Sequence, residues 1–233
     1  VYSTFVQRTY DQLQQDLCIN NNPITILTFA ASVWGMNDVT HLGIYDIPMM
    51  SNIPNLVYLA PTTYEEYIAM LDWSTEQREH PVAIRVPGAV IHGEKPTKDY
   101  GILNKYETVQ KGSGAAIIAL GTFFGMGKQA AELIEKKTGV KPTLIDPVYI
   151  TGIDEELLES LKKNHKAVVT LEDGILDGGF GEKIARFYGD SDMRTVNFGL
   201  KKEFLDRYDA NEVLRQNGIT PEQIADRAAE LIK

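Results

Sequence analysis

The sequence has one cysteine, no long apolar run and no cluster of basic residues, and each absence excludes a class of protein. Cys18 alone cannot form an intramolecular disulfide, which is typical of a reducing compartment, so we expect a cytoplasmic protein. No stretch approaches the roughly 18 apolar residues of a membrane span. The net charge is −9 and the lysines and arginines are scattered, which argues against phosphate-rich partners. We therefore expect neither a membrane nor a nucleic acid as a partner.

The chain has enough apolar residues for one large domain or two small ones, since 43% of its 233 residues are hydrophobic. Its first part contains short apolar runs bounded by Pro and Asn, a pattern typical of buried parallel strands. These runs are Pro23–Phe29, Asn55–Ala60 and Val82–Val86. Between the last two, Thr62 and Thr63 each precede a glutamate by three residues, which predicts a capped helix.

The second part repeats this alternation of strands and helices, which indicates parallel βαβ units. We expect strands at Ala115–Leu120, Thr143–Asp146, Ala167–Leu171 and Thr195–Phe198, and helices at Met126–Lys137, from Asp154 to Lys163, at Gly181–Tyr188 and from Pro221 onward. The predicted fold class is therefore α/β, with two open, mostly parallel sheets flanked by helices and the first sheet incomplete. The predicted division is 1–90, a linker over 91–112, and 113–233.

The first residue is Val1, and Val1–Phe5 resembles a strand that runs directly into a helix over Gln7–Leu17. We therefore expect this chain to be a fragment of a larger protein, or a processed piece of one. Catalytic residues of that protein would then lie outside this chain.

Two glycine-rich turns follow predicted strands, at Gly121–Gly127 and Gly178–Gly181. Neither has the spacing of a dinucleotide fingerprint. The simpler interpretation is close packing of a helix start against the sheet. An anion or nucleotide site at the carboxyl ends of these strands is the alternative.

His41 is the best chemical candidate in the sequence. It lies in the loop Gly35–Asp46, just after the carboxyl end of the first strand, where α/β proteins place their chemistry. A histidine near Asn37 and Asp38 can donate hydrogen bonds or move a proton near neutral pH. The local sequence equally allows His41 to brace the loop.

The segment Tyr2–Gln12, YSTFVQRTYDQ, closely resembles the YSTFLQRAYDQ segment of the 1-deoxy-D-xylulose-5-phosphate synthase family. The similarity continues in order through nearly the whole chain, within the wider transketolase superfamily. It is carried by Pro23, Thr40-His41-x-Gly43, Asp46, Ile53-Pro54, Ala60-Pro61, Arg85-x-Pro87, Val169-Thr-Leu-Glu172, Gly178-Gly179 and Phe198-Gly-Leu200.

This resemblance implies a pyrimidine-binding domain over 1–90, N-terminally incomplete, and a transketolase C-terminal domain over 113–233. It implies thiamine diphosphate and Mg²⁺ as cofactors of the whole enzyme, a homodimer, and small-molecule partners: a 2-oxo acid or ketose donor and an aldehyde acceptor. Phe5 matches the aromatic residue that stacks on the aminopyrimidine ring. Tyr2 and Arg8 match substrate-pocket residues, and His41 matches the histidine that contacts donor and acceptor oxygens and assists proton transfer.

The resemblance also implies that the cofactor-activating glutamate and the site for diphosphate and magnesium lie outside this chain. We therefore expect the chain alone to be inactive and to contain no metal ligands. Three departures from the family pattern concern the substrate: Asn37 replaces an acidic residue, Phe29-Ala30 replaces an Asp-Arg pair, and Gly88 stands where an arginine would grip phosphate. An acceptor with a different anionic end, or with none, is therefore expected.

Two rival hypotheses remain from the sequence. As alternatives to a fragment of such an enzyme, the chain could be a separately encoded C-terminal subunit of a split transketolase or a 2-oxo acid dehydrogenase beta-type subunit. It could also be a nucleotide-binding α/β module that uses the glycine turns. A start at Met with the glutamate segment included would favour the first alternative. Tight dinucleotide binding by 113–233 would favour the second.

Overall fold

A computed structural model describes residues 1–232 as two open sheets flanked by helices, which confirms the predicted fold class. In the first sheet the order is β1-β3-β2 and all pairs are parallel. Its strands are β1 (Thr25–Thr28), β2 (Val57–Leu59) and β3 (Val82–Arg85).

The second sheet has the order β4-β6-β5-β7-β8, in which only the β4–β6 pair is antiparallel. Its strands are β4 (Glu107–Gln110), β5 (Gly114–Ala119), β6 (Thr143–Asp146), β7 (His165–Ile175) and β8 (Arg194–Leu200). The predicted strand at 195–198 is thus the edge strand β8. β4 lies inside the stretch that the sequence assigned to a linker, and the division into 1–90, 91–112 and 113–233 stays a prediction.

The described chain has eight α-helices, several of which contact strands of the two sheets. They are α1 (Tyr10–Gln12), α2 (Asp46–Met50), α3 (Tyr64–Glu76), α4 (Phe124–Thr138), α5 (Glu155–Leu161), α6 (Phe180–Tyr188), α7 (Ala210–Gln216) and α8 (Pro221–Ile232).

The predicted helix starts are confirmed where a side chain can cap them. Thr63 Oγ1 accepts the backbone N–H of Glu66 at 3.1 Å at the start of α3. The Glu66 carboxylate in turn accepts the backbone N–H of Thr62 at 2.8 Å. In a standard capping box this second hydrogen bond would come from the N-cap residue itself, Thr63, rather than from the residue before it. Asp154 caps α5 by accepting the N–H of Leu157 at 3.1 Å.

The N-terminal segment differs from its prediction. Only Tyr2 forms a strand-like bridge, with Phe29, and Ser3–Thr9 is a 3₁₀-helix. The helix after it does continue to Cys18, but Leu13–Cys18 is wound as a π-helix. The strand at 1–5 is therefore wrong, whereas the helical segment after it is present with irregular winding.

The two sheets share their core and are joined by backbone hydrogen bonds. One apolar cluster contains residues of both, such as Tyr58 and Ala83 from the first and Ile118 and Val168 from the second. The end of β2 pairs with the segment after β6, since the N–H of Ala60 donates to the Val148 carbonyl at 2.8 Å. No helix in the described part of the chain is long and apolar enough to cross a membrane.

Candidate active site

Three aromatic rings meet at the carboxyl end of β1. The His41 ring centroid lies 5.0 Å from that of Phe5 and 5.8 Å from that of Tyr2, and the Tyr2–Phe5 distance is 6.0 Å. Tyr2 and Phe5 are 46% and 37% exposed, so this cluster presents ring surface to solvent. Hydrogen bonds between the Tyr2 and Phe29 segments fix it to the sheet, because the Ser3 N–H donates to the Phe29 carbonyl at 2.8 Å.

The loop that carries His41 folds tightly over the Ala30 carbonyl. A side chain at Gly35 or Gly43 would place its Cβ 2.2 Å or 2.1 Å from that oxygen. Ala30 itself has a φ of 52°, in the left-handed region. The Ser32 N–H closes the loop by donating to the Gly43 carbonyl at 2.7 Å. Ala30, one of the departures from the family pattern, is therefore a turn residue under this loop.

Asp38 orients the His41 ring. The His41 Nδ1 lies 3.0 Å from Asp38 Oδ1 and 2.9 Å from Thr40 Oγ1. Hydrogen bonds from the Thr40 hydroxyl and from His41 lower the pKa of Asp38 to about 2, so this carboxylate is ionised at neutral pH. An ionised carboxylate only accepts, so His41 Nδ1 carries the hydrogen and Nε2 is left to exchange a proton with a ligand.

Arg8 lies near the ring cluster in sequence and is exposed. It follows Phe5 by three residues in the 3₁₀-helix, which places both side chains on one side of that helix. Within residues 1–232 the Arg8 guanidinium has no ion-pair partner. The structure thus brings Tyr2, Phe5 and His41 together and leaves Arg8 at the same surface without a partner.

The C-terminal half braces the His41 loop from the other side. Asp206 Oδ1 accepts the Val39 N–H at 3.2 Å, and the Arg207 N–H donates to the Asn37 carbonyl at 2.6 Å. The Tyr208 hydroxyl donates to the Val33 carbonyl at 2.9 Å. Asn37 therefore holds the loop through its backbone.

A buried charge network lies beneath this loop and joins the two sheets. Arg85, at the end of β3 and 5% exposed, binds Asp46 through Nε at 2.8 Å and Asp173 of β7 through Nη1. The Thr122 hydroxyl donates to the other Asp173 oxygen at 2.6 Å, and the Tyr58 hydroxyl donates to Asp46. One guanidinium thus compensates two carboxylates whose side chains are fully buried.

Glu172, next to Asp173, fills the start of α6. Its two oxygens accept the N–H groups of Phe180 at 2.7 Å and Gly181 at 2.8 Å. Burial raises the pKa of this carboxyl to about 7, against the lowering by these two hydrogen bonds. The N-terminus of α6 is therefore occupied by a side chain.

The glycine turns serve close packing in the second sheet. A Cβ at Gly127 would lie 2.6 Å from the Ala119 Cβ, and one at Gly181 would lie 2.5 Å from Thr170 Oγ1. These distances let α4 and α6 approach β5 and β7, which supports the packing interpretation of both turns.

Sequence reasoning missed the charge network. Arg85 is charged inside an otherwise apolar strand, VAIRV, and this is the signal that could have found it, because a buried arginine requires carboxylate partners. Its partners lie 39 and 88 residues away along the chain, so spacing alone does not reveal them.

Comparison with known proteins identifies the family of this chain. Residues 1–90 match the model of the transketolase pyrimidine binding domain, and residues 104–224 match that of the transketolase C-terminal domain. The chain belongs to the transketolase family. The ring cluster and Arg85 lie within the first matched segment, and Asp173 lies within the second.

Curated relatives of this transketolase-family chain are named 1-deoxy-D-xylulose-5-phosphate synthase. Those of Clostridium perfringens (strain SM101 / Type A) and Clostridium tetani are 35% and 33% identical over the whole chain. The chain spans 38% of the length of each.

Solved structures show the same fold. A "split gene transketolase, inactive beta4 tetramer" matches with a TM-score of 0.84 and 22% identity, covering all of this chain and 75% of that one. The transketolase of Pichia stipitis, in complex with sedoheptulose-7-phosphate, matches with a TM-score of 0.78 and 18% identity, covering all of this chain and 33% of that one.

Proposed function

We propose that this chain forms the pyrimidine-binding and substrate-contacting half of the active site of a thiamine diphosphate-dependent transferase. The reaction proposed is that of 1-deoxy-D-xylulose-5-phosphate synthase or of a close paralogue with another acceptor. The observation that carries this proposal is the exposed cluster of Tyr2, Phe5 and His41 at the carboxyl end of β1, in a chain of the transketolase family.

The ring cluster fits the aminopyrimidine half of the cofactor. Phe5 makes T-shaped contacts with Tyr2 and His41 and is 37% exposed, and we propose that its exposed ring surface stacks on a planar heterocycle. When bound, thiamine diphosphate supplies the carbon nucleophile and the electron sink for breaking a bond next to a carbonyl. Phe5 would hold the pyrimidine ring and orient it.

The described residues of this chain offer no cluster of metal ligands for magnesium. Residues 1–232 contain no group of three or more His, Cys, Asp or Glu side chains placed to hold a metal ion. We propose that other residues of the assembled enzyme hold Mg²⁺ and the diphosphate.

His41 would handle the proton of the substrate. Because Nδ1 donates to Asp38, the free Nε2 can accept a hydrogen bond from, or return a proton to, an oxygen of the donor or acceptor. Arg8 would bind an anionic end of the substrate, such as a carboxylate or phosphate, with its unpaired guanidinium. Tyr2 would close the same pocket with its exposed ring.

The proposed substrates are a 2-oxo acid or ketose donor and an aldehyde acceptor, and the proposed assembly is a homodimer. A separately encoded subunit of a split enzyme is the second candidate. It is supported by the similarity in fold to a split-gene transketolase chain, with a TM-score of 0.84.

The experiment is to isolate the natural polypeptide that carries this sequence, measure its intact mass, and assay it with thiamine diphosphate and Mg²⁺. Pyruvate and glyceraldehyde 3-phosphate, or pyruvate and an unphosphorylated aldehyde, should release CO₂ and give a ketose product. A 26.0 kDa species that is active only with a second subunit would identify the split form. No product from any donor–acceptor pair, with all subunits present, would refute the proposal.

A further inference from the structure

A cavity of about 420 Å³ lies beside the carboxyl ends of β3 and β5, next to Ser32 and Trp34 in the segment that leads into the His41 loop. This volume is within the range of small-molecule sites. Its apolar lining comes from Trp34, Pro87, Gly88, Ala89 and Ile91. The Trp34 ring rests edge-on against the buried ring of Phe123, 5.3 Å between centroids, and is 40% exposed.

The polar lining consists of the hydroxyls of Ser32, Thr62 and Thr122. Thr62 donates its hydrogen to the Glu66 carboxylate at 2.9 Å, and Thr122 donates its hydrogen to Asp173 at 2.6 Å. Both hydroxyls can therefore only accept a hydrogen bond from a ligand. Ser32 Oγ accepts the backbone N–H of Trp34 at 3.3 Å, and its own hydrogen can be donated to a ligand.

No cationic side chain lines the cavity in the described chain. The nearby cations are already compensated: Arg85 binds Asp46 and Asp173, and Lys98 lies 2.6 Å from Glu66. A phosphate placed here would find the Ser32 hydroxyl as a donor but no cationic side chain to compensate its charge, and would lose much of its hydration to apolar surface. A neutral ligand avoids this cost.

We propose that this cavity binds a neutral, mainly apolar small molecule with one oxygen on the Ser32 hydroxyl. Resting on the proposed function, that molecule is the aldehyde acceptor, and the acceptor carries no phosphate. Gly88 leaves the cavity uncharged, because a Cβ there would meet no atom within 4 Å and a longer side chain would have room.

The test compares a neutral and an anionic probe with the same ring, benzyl alcohol and benzyl phosphate, at constant ionic strength. Binding to the full chain is followed through Trp34 fluorescence in a Trp73→Phe background, which leaves Trp34 as the reporter since the chain has two tryptophans. Circular dichroism checks that each variant is folded. We expect benzyl alcohol to bind about tenfold more tightly than benzyl phosphate, or better.

Gly88→Arg should raise the affinity for benzyl phosphate by about tenfold or more, because it supplies a charge-assisted hydrogen bond. Gly125→Arg is the matched control: it adds the same charge at another exposed glycine with no atom within 4 Å of its Cβ, outside the cavity. It should change neither affinity.

Equal or tighter binding of benzyl phosphate to the unsubstituted cavity would overturn the inference. So would the absence of any binding into the millimolar range, or an equal effect of both arginine variants. Because these measurements use neither thiamine diphosphate nor turnover, their failure is separate from that of the proposed function. That function fails if the assembled enzyme forms no product from any acceptor.

Discussion

Replacing Arg85 by methionine tests whether the buried charge network holds the two sheets together. Arg85→Met keeps much of the side-chain volume but removes the only guanidinium that contacts Asp46 and Asp173 in the described structure. Both carboxylates then remain buried without a cation. We expect a large loss of stability, together with a new dependence on pH.

The magnitude follows from the contacts. Two unit charges about 4 Å apart attract by about 4 kcal/mol at the effective dielectric of a protein. Removing one partner of a buried pair costs about 3–5 kcal/mol, because the remaining charge has lost its compensation. With two carboxylates depending on Arg85, we expect about 4 kcal/mol or more. This is a large part of the stability of an ordinary domain.

The assay is urea unfolding at several pH values, followed by circular dichroism and tryptophan fluorescence. In the variant, Asp46 and Asp173 are buried without a cation, and burial of this kind raises the pKa of a carboxyl above its value in the unfolded chain. The folded state then binds protons more tightly than the unfolded state. The free energy of unfolding should therefore recover as the pH falls towards about 4. Thr122→Val, which removes one hydrogen bond to Asp173, is the control and should cost about 1–3 kcal/mol.

A loss of less than about 1 kcal/mol for Arg85→Met would refute the reasoning, because it would mean that water or a rearrangement compensates both carboxylates. A loss that does not change with pH would also refute it, since the cost would then come from packing alone.

Three further predictions concern the site and its support. His41→Ala should lower kcat of the assembled enzyme by about 10²–10⁴-fold with little change in Tm. Asp38→Asn should lower kcat by a smaller factor, because Asp38 only orients the His41 ring. A kcat equal to that of the wild type in both variants would show that neither residue takes part in catalysis. Gly179→Ala places a Cβ 2.5 Å from Glu172 Oε2 and should lower the free energy of unfolding in urea by about 1–3 kcal/mol. Gly125→Ala is the control, since its Cβ would meet no atom within 4 Å, and should be neutral or stabilising. Similar values for both variants would contradict the packing argument. Burial raises the pKa of Glu172 to about 7 from an ordinary 4.5, so its contribution to stability is present below pH 4.5 and is lost as the pH rises to about 7, about 3 kcal/mol in all. Glu172→Gln should therefore flatten the dependence of the free energy of unfolding on pH. An unchanged dependence would show that another group titrates.

The sheets were predictable because their strands are short apolar runs at regular spacing. Burial of both faces selects such runs, as in Val82–Arg85 and Gly114–Ala119. Helix α2 was not predictable: Asp46–Met50 is five residues with a proline, and it forms because Ile47 and Met50 pack into the shared core. Local propensity gives no signal for a helix of that kind.

The site was predictable only in part. Family resemblance brought Tyr2, Phe5, Arg8 and His41 together as candidates, and the structure places three of their rings within 6.0 Å of one another. Their catalytic and binding roles stay predictions. The cavity at Gly88 depends on residues from several loops and on the direction in which hydroxyl hydrogens point, which spacing along the chain does not encode.

Contacts between the residues before and after the segment 86–99 determine whether the protein would stay together if the chain were cleaved there. Residues 86–99 contain no helix or strand and are mostly exposed, so a protease would find its easiest cleavage point there. Yet cleavage would not separate the halves, because the Ala60–Val148 backbone bond, the Arg85–Asp173 pair and the shared core all join residues before the cut to residues after it. The nicked protein would remain one particle of two peptides, and gene fission at this point would yield two pieces that reassemble.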